Sequence, residues 1–438
     1  MAGHKPPLGV SHSPKLDHKD PRGLFVYGLR SVSQALLAPY ADAFRGLSSC
    51  GTPGHLPGLP QDGLVPVYLE EAPDGEVSAY LTGILTCGSA WACPVCSPGL
   101  ARERAEVLSR ALARLVGMGY SVAHVVLTIR HTRGESLAEL RVLLSGIWRS
   151  LVSHRRVKAL WRGLGWYRAI EITFGKNGWH PHIHLALAVP PGRDPWALKD
   201  PLWEAWRDAV EAHGWVAVRD AYSFAVAETE ADAQEVGRYL EKWDLGLEVA
   251  GGPLKGEGSG LTPFQLLAGA FAAWLEGDPA LEGVFHLEED HPLMVEGPSL
   301  ILREFCGHSK RLLKKAGITP EEAAWRWVEY AEATKGWKRA FANRPMTLLL
   351  RQVEEELAGE RGQARLLGRV YLSRSVYRWL VLSGRLAYLL HYAETFRSLR
   401  LACELLGLVE GEEWWEAVEE RGPPEGEGVD QADGGVPA

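Results

Sequence analysis

Residues 166–189 read WYRAIEITFGKNGWHPHIHLALAV, a pattern of two strands around a turn. β-Branched and aromatic residues fill both runs, which meet at Gly175-Lys176-Asn177-Gly178. An Asn-Gly pair between two such runs is a strong signal for a tight connection between antiparallel strands. The sequence therefore predicts a β-hairpin.

The register of this hairpin brings polar side chains together. The turn can be centred on Lys176-Asn177 or on Asn177-Gly178. In both cases the residue numbers of each cross-strand pair sum to an odd value. Glu171 then lies opposite His182 or His184, and it shares one face of the sheet with His180, His182 and His184. A solvated histidine-rich strand edge is the alternative, but these polar residues converge on one face of an otherwise apolar hairpin.

Spacing limits which of these side chains can hold one metal ion. Residues two apart on a strand stand about 6.6 Å apart, and a cross-strand neighbour is about 5 Å away. His182 and His184 can therefore flank one ion, with Glu171 reaching it from the next strand. His180 is about 13 Å from His184 by the same rise, which disfavours an ion shared by all three histidines. The spacing thus favours Glu171 as the third ligand, with His180 as the open alternative. Two imidazoles and one carboxylate leave coordination positions open, as a catalytic site requires.

A second ligand pattern precedes the hairpin. Cys87, Cys93 and Cys96 fall in CGSAWACPVC, and Cys50 stands a long loop upstream. The Cys-Pro-x-Cys knuckle is typical of zinc sites, and four cysteines predict a closed, tetrahedral structural site. A redox pair or buried free thiols are the alternative, but a Cys-x-x-Cys redox motif normally opens a helix within a βαβ unit.

The charge of the chain is divided unevenly. The net charge is −8, but residues 404–433 hold eleven acidic residues and one basic residue, so the rest of the chain is at +2. Residues 141–170 contain seven basic residues and no acid. A solvated helix face would normally mix signs, so this pattern favours a nucleic-acid binder. The predicted DNA contacts are Arg149, Arg155, Arg156 and Lys158.

The chain shows no sign of membrane insertion or secretion. Its 438 residues suffice for two or three domains, and no apolar run approaches the roughly 18 to 20 residues of a membrane span. The start of the chain lacks a signal-peptide core. We expect a soluble, cytoplasmic protein.

Two helices complete the pattern. Residues 137–160 predict one amphipathic helix that carries the basic run, and residues 229–243 predict a second helix. On the second helix, Glu235, Tyr239 and Lys242 follow at i, i+4 and i+7 and so project from one face. A lone helical tyrosine is usually a packing residue, so its meaning depends on the metal-binding hairpin upstream.

These motifs resemble a known family. Trp-His-Pro-His-Ile-His-Leu, after an Ile-Glu-Ile-Thr strand, is similar to the His-hydrophobe-His motif of HUH endonucleases, and more closely to the initiator (Rep) proteins of rolling-circle plasmids. The strand ending Leu127-Thr128, followed by Arg130-His131, resembles the first motif of that family. Tyr239-x-x-Lys242 resembles its third motif, and the cysteine knuckle also has its counterpart there. The resemblance covers roughly residues 50–315.

The resemblance implies an α+β fold with an HUH-type central antiparallel sheet and flanking helices. A cysteine zinc knuckle precedes the sheet, and a helical C-terminal region follows it. The expected division is a partly disordered N-terminus (1–45), a zinc-binding cysteine element (46–100), an HUH endonuclease domain (101–250), a basic helical extension (251–320), a helical C-terminal region (321–410) and an acidic disordered tail (411–438).

The resemblance also implies a reaction. Tyr239 would attack a DNA phosphodiester at a plasmid origin to give a 5′-phosphotyrosine, with magnesium or manganese at the hairpin. Lys242 or the metal would help the tyrosine ionise, and Glu235 would activate water for the terminating cleavage. The expected partners are single-stranded or extruded origin DNA, a host helicase and a replication polymerase.

Three other functions are compatible with some of these features. An HUH transposase or mobilisation relaxase would use the same residues, although no second tyrosine follows Tyr239 on its helix. A non-catalytic zinc-dependent DNA-binding regulator would not need the histidines and the tyrosine together. A metallohydrolase that never touches DNA would not need the basic run.

Overall fold

The computed structural model describes residues 25–53, 64–240 and 260–416. Its helices, numbered in chain order, are α1 (Val26–Leu37), α2 (Arg45–Ser48), α3 (Cys96–Gly117), α4 (Leu137–Ser153), α5 (Arg155–Leu160), α6 (Lys199–Glu211), α7 (Glu230–Leu240), α8 (Pro263–Leu275), α9 (Pro292–Val295), α10 (Leu300–Ala316), α11 (Pro320–Thr334), α12 (Arg344–Arg361), α13 (Arg374–Leu382), α14 (Leu386–Phe396) and α15 (Leu399–Leu405). Its strands are β1 (Val65–Glu71), β2 (Val77–Leu81), β3 (Ser121–Thr128), β4 (Gly165–Gly175), β5 (Gly178–Val189), β6 (Ser223–Ala227), β7 (Ala340–Ala342), β8 (Arg365–Leu372) and β9 (Trp414–Glu416).

The strands form two antiparallel sheets. The five-stranded sheet has the order β6-β3-β5-β4-β7, and the four-stranded sheet has the order β2-β1-β8-β9. A cysteine cluster lies ahead of the five-stranded sheet in the chain, and a mostly helical region follows it. The predicted α+β class is therefore confirmed.

The hairpin of β4 and β5 forms the centre of the five-stranded sheet. Its turn is centred on Lys176-Asn177, and Glu171 pairs directly with His182. Gly178 has φ +84°, and a Cβ there would lie 2.9 Å from the Cα of Arg133. Glycine is therefore needed at this position both for the left-handed turn and for the close approach of the neighbouring loop.

The two faces of this sheet pack against different helices. On one face, α3, α7 and Met346 of α12 pack against strand residues; Leu108, Leu112, Val122, Tyr167, Ala186, Ala233 and Leu240 belong to this cluster. On the other face, α4 and α6 pack against the alternate strand residues; Val125, Leu127, Leu140, Leu144, Leu185 and Trp206 belong to that core. Because side chains alternate across a strand, Glu171, His182 and His184 lie on the α3–α7 face, hereafter the metal face.

The structure divides the helix predicted over residues 137–160 into α4 and α5. The helix α4 starts at a capping box made by Ser136 and Glu139. His154 adopts an extended conformation (φ −61°, ψ 136°) and separates the two helices. The break turns α5 so that Trp161 at its end contacts Trp148 of α4, with ring centroids 5.8 Å apart.

Several strands were not apparent in the sequence. The strand β7 pairs with β4, and β8 pairs with β1, each across a long sequence separation. Within residues 215–227, the strand is confined to β6. None of the helices in the described ranges is both long enough and apolar enough to cross a bilayer. The proposed domain boundaries stay a prediction.

Candidate functional site

Glu171, His182 and His184 converge on the metal face. The Nε2 atoms of His182 and His184 lie 2.8 and 2.9 Å from the same Oε2 atom of Glu171. All three ligand atoms lie within 4.8 Å of one another, a spacing at which one ion can contact each of them. Glu171 keeps 27% of its side-chain area exposed and His184 only 4%, so the cluster opens to solvent on the carboxylate side.

The chemistry of this donor set fits a divalent metal ion. Burial alone would raise the pKa of the Glu171 carboxyl, but the hydrogen bonds with His182 and His184 hold that pKa well below its usual range. The side chain is therefore a carboxylate between two imidazoles. Imidazoles suit transition ions, and carboxylates suit Mg²⁺ or Mn²⁺. Three protein ligands also leave positions for a substrate oxygen.

His180 belongs to a neighbouring pair and not to this cluster. Its Nδ1 atom lies 2.5 Å from Nε2 of His131, and the Nδ1 atom of His131 lies 2.9 Å from the backbone oxygen of Asn177. Burial and the adjacent His182 and His131 lower the pKa of His180 to about 4. Of the two ligands that the sequence left open, the structure groups Glu171 with His182 and His184.

His124 on β3 is a residue that the sequence reasoning missed. Its Nε2 atom lies 3.2 Å from Nδ1 of His184, the ring nitrogen that faces away from Glu171. Burial, followed by the charge of His184, lowers the pKa of His124 to about 4, so it is a neutral imidazole at neutral pH. A neutral acceptor at Nδ1 fixes the tautomer that leaves Nε2 of His184 available to a metal.

Tyr239 on α7 stands beside the ligand cluster. Its ring centroid is 5.3 Å from those of both His124 and His184, and 45% of the residue is exposed. Glu235, one helical turn earlier, lines the same cleft of about 440 Å³. Lys242 lies outside the described residues. The structure thus places two of the three predicted helix residues at the edge of the metal face.

Gly237 allows α7 to pack closely against α3. A Cβ on Gly237 would lie 2.6 Å from the Cα and N atoms of Ser109, so only glycine allows this approach. Tyr239 follows Gly237 by two residues, and its distance from the sheet therefore depends on this backbone contact.

The four predicted cysteines come together in a second cluster. The Sγ atom of Cys50 lies 3.7 Å from that of Cys93 and 3.6 Å from that of Cys96. With Cys87, the four sulfur atoms lie within 4.8 Å of one another, and none forms a disulfide. Hydrogen bonds from the other three thiols, that of Cys87 first, lower the pKa of Cys50 below its usual range. Four convergent sulfur ligands fit a closed metal site.

Arg30 of α1 is a buried cation beside these sulfur atoms. It is 1% exposed, and a Cβ on Gly51 would collide with its guanidinium group. Burial alone would lower the pKa of Arg30, but the thiols of Cys50 and Cys93 contribute to raising it. Four thiolates and one divalent ion carry two net negative charges, so a cation at this position offsets part of that charge.

The predicted DNA contacts lie on the other side of the sheet from the metal face. Arg149 is on α4, and Arg155 and Lys158 are on α5; all three are exposed. Arg156 is also in α5, but its side chain is outside what the structure describes. Their role in DNA binding stays a prediction.

Comparison with known proteins shows that part of this chain is similar to replication proteins. Residues 80–243 match the family model Rep_1, described as "Replication protein". This range contains the hairpin, three of the four clustered cysteines and all of α7. No solved structure matches the chain.

One curated relative is the "Protein rep" of Streptomyces lividans. It is 28% identical over 252 residues, which cover 43% of this chain and 54% of the relative. The chain thus spans about half the length of that relative. Both matches support the resemblance to Rep replication proteins, while neither addresses the HUH subtype.

Proposed function

We propose that this protein initiates rolling-circle replication of a plasmid. It would nick one strand at the double-strand origin, and it would later terminate and rejoin that strand. The observation that carries this proposal is the position of Tyr239, 5.3 Å from the ring of His184, at the edge of a cluster that can hold a metal ion. The similarity to replication proteins over residues 80–243 supports the same function.

The proposed reaction is a transesterification. The hydroxyl oxygen of Tyr239 forms a bond to phosphorus and loses its proton, and the bond from phosphorus to the 3′-oxygen breaks. The 3′-oxygen takes up a proton and becomes the primer end, while the 5′-phosphate stays on the tyrosine. Because one phosphodiester replaces another, the strand can be rejoined without ATP. Tyrosine has an ordinary pKa near 10 and needs help to ionise, which we assign to Lys242 and the metal site.

The metal face supplies the remaining parts of the reaction. Glu171, His182 and His184 would hold Mg²⁺ or Mn²⁺, which polarises the scissile phosphate when bound. His124 would keep His184 oriented, because its ring nitrogen lies 3.2 Å from Nδ1 of that ligand. The four cysteines would hold structural zinc and contribute to folding rather than to chemistry.

The substrate is single-stranded or extruded DNA. The ligand cluster lies against the sheet under α7, with His184 only 4% exposed, and a base-paired duplex would hold its phosphate away from so recessed a cluster. A host helicase and a replication polymerase, acting in the cytoplasm, would then extend the free 3′-hydroxyl. An HUH transposase or relaxase would use the same chemistry on a different DNA, so the origin sequence distinguishes these functions.

The test is a covalent adduct between the protein and a single-stranded origin oligonucleotide in the presence of manganese. Wild-type protein should form the adduct, and Tyr239→Phe should form none because the nucleophilic oxygen is gone. Tyr222→Phe is the matched control, since the Tyr222 hydroxyl donates to the backbone oxygen of Lys199 and burial raises its pKa. An adduct that persists in Tyr239→Phe and disappears in Tyr222→Phe would move the nucleophile to Tyr222.

We also assign termination to Glu235. Its carboxylate lies one helical turn from Tyr239 and faces the same cleft, where it can act as a general base for water. Ordinary surface charge is the alternative. Glu235→Ala should form the first adduct at close to the wild-type rate and leave multimeric plasmid copies or DNA-bound protein. Normal termination, or loss of nicking as complete as in Tyr239→Phe, would contradict this assignment.

A further inference from the structure

Two acid-free segments of the chain meet at one edge of the five-stranded sheet. Residues 141–170 contain seven Lys or Arg residues, and residues 335–353 contain five more, with no Asp or Glu in either segment. The first six residues of β4 belong to one segment and β7 belongs to the other, and the two strands pair along the edge of the sheet, with Arg168 opposite Phe341. The pairing of β4 with β7 therefore brings Arg168 of the first segment to the same edge of the sheet as Phe341 of the second, with Lys338 over the Phe341 ring.

Aromatic rings are interleaved with these cations. Trp161 contacts Trp166 at 5.3 Å between ring centroids, and Trp166 contacts Phe341 at 5.8 Å. Arg168 lies 5.0 Å over the ring of Trp148, and Lys338 lies 5.8 Å over that of Phe341. Phe341 is 44% exposed, and Trp161 is partly exposed. Trp161, Arg168, Lys338 and Phe341 are called the basic aromatic patch below.

Eight cations of the two acid-free segments have no carboxylate partner within the described part of the chain. Among the residues that the structure describes, none of the following is paired with a carboxylate: Arg149, Arg155, Lys158, Arg162, Arg168, Lys338, Arg344 and Arg351. Elsewhere the arrangement differs: Arg110 and Arg114 of α3 pair with Glu360 and Glu356. Unneutralised cations beside exposed rings complement a ligand that carries both phosphates and flat bases.

We propose that the basic aromatic patch binds single-stranded DNA, with bases stacked on Phe341 and Trp161 and phosphates on the surrounding cations. Stacking on aromatic rings together with a cationic surface is how proteins bind unpaired strands without sequence preference. A duplex hides the faces of its bases and cannot use the rings. The patch lies across the sheet from the metal face, so it is a second DNA contact and not part of the cleavage site. The proposal rests on the proposed function only for the identity of the strand, which would be one released by nicking or unwinding.

The test measures the affinity of the full-length protein for fluorescent oligo(dT) by anisotropy, without added divalent metal. Oligo(dT) has no origin sequence and no stable hairpin, so it reports on general single-strand binding.

Loss of one stacked base costs about 1–3 kcal/mol, or roughly 5- to 150-fold in affinity. Phe341→Ala should therefore bind at least about fivefold more weakly, and Phe341→Tyr, which keeps a ring, should restore binding. Lys338→Gln should bind more weakly with a shallower salt dependence. Lys314→Gln on α10 is the matched control, because Lys314 is also exposed.

Two results would overturn the proposal. Unchanged oligo(dT) affinity in both Phe341→Ala and Lys338→Gln would remove the patch from DNA binding. Sedimentation velocity that shows a change of oligomeric state in Phe341→Ala, with oligo(dT) affinity unchanged, would make the patch a contact between copies of the chain. The two proposals fail separately: a wild-type protein without adduct formation would refute the nuclease and leave oligo(dT) binding to be measured.

Discussion

The two ligand clusters of this protein are built in opposite ways. Glu171, His182 and His184 come from one hairpin, on adjacent strands, and their cluster is open to solvent on the carboxylate side. The cysteine ligands come from two loops and the first residue of α3, and Cys50, Cys93 and Cys96 are buried. The first cluster offers three ligand atoms and would leave coordination positions free on a bound ion, whereas the second offers four and would close the site.

This difference suits the first cluster to chemistry and the second to stabilising the fold. A site on rigid strands with open positions can change its bound oxygen atoms without loss of structure. A closed sulfur site inside loops contributes its binding free energy to the fold. The two clusters are nevertheless connected, because α3 begins at Cys96 and the same helix contacts Gly237 of α7 through Ser109. A metal ion bound by the cysteines would therefore anchor the helix against which the tyrosine helix packs.

The largest expected effect comes from removing one ligand at each cluster. His184→Ala should abolish adduct formation while the protein stays folded. Cys96→Ser should release one equivalent of zinc and lower the free energy of unfolding by several kcal/mol, because zinc binding in such sites is worth about 10–16 kcal/mol in peptides. Adduct gels, zinc analysis and thermal melts measure the two outcomes. Purified wild-type protein without zinc would contradict the structural role of the cysteine cluster. A His184→Ala protein as destabilised as Cys96→Ser would contradict the difference in role between the two clusters.

The next effect tests the connection between the clusters. Gly237→Ala forces a methyl group against the backbone of Ser109, so α7 must shift; overpacking of this kind costs about 1–3 kcal/mol. The adduct should form more slowly because Tyr239 moves with α7. Gly359→Ala on α12 is the matched control, since a Cβ there meets no atom within 4 Å. It should raise stability by up to about 1 kcal/mol, the helix-propensity difference between the two residues. Equal adduct rates in both variants would show that the α3–α7 contact does not position the tyrosine.

The local parts of this fold could be predicted from the sequence. The Asn-Gly turn and the strand period determine which side chains of a hairpin face each other, and Glu171 does pair with His182. The helical spacing from Glu235 to Tyr239 likewise places both residues in one cleft. Both inferences depend only on residues close together in the chain.

The long-range contacts could not be predicted in this way. The alternation of β3 puts His124 on the same face as Thr128, but no local signal says that β3 pairs with β5 and so brings His124 to His184. The strand β7 is only three residues long and lies between helices, so its pairing with β4 leaves no periodic signal. Arg30 reaches the cysteines through tertiary packing of α1.

Substitution of His124 should have a smaller effect, which is on the metal affinity of the cluster of Glu171, His182 and His184. His124→Phe removes the acceptor beside Nδ1 of His184, and loss of such a partner costs about 10- to 100-fold in metal affinity. His124→Gln keeps a side-chain oxygen that can accept the same hydrogen bond, so it should retain most of the affinity. Manganese titration followed by electron paramagnetic resonance measures this directly. If both variants bind manganese as the wild type does, His124 does not orient the ligand.

The smallest expected effect concerns Arg30 at the closed cluster. The guanidinium lies against Gly51, next to Cys50, and the Tyr377 hydroxyl donates to the backbone oxygen of Gly51 at 2.7 Å. Arg30 thus places positive charge beside sulfur atoms that would carry negative charge when they bind zinc. Arg30→Met keeps much of the side-chain volume but removes this charge, so transfer of zinc to a chromogenic chelator should be several-fold faster. Arg30→Lys keeps the charge without the planar guanidinium group, so its rate of zinc release should lie between those of the wild type and Arg30→Met. Equal rates for Met and Lys, both faster than wild type, would mean that packing against Gly51 and not charge protects the cluster.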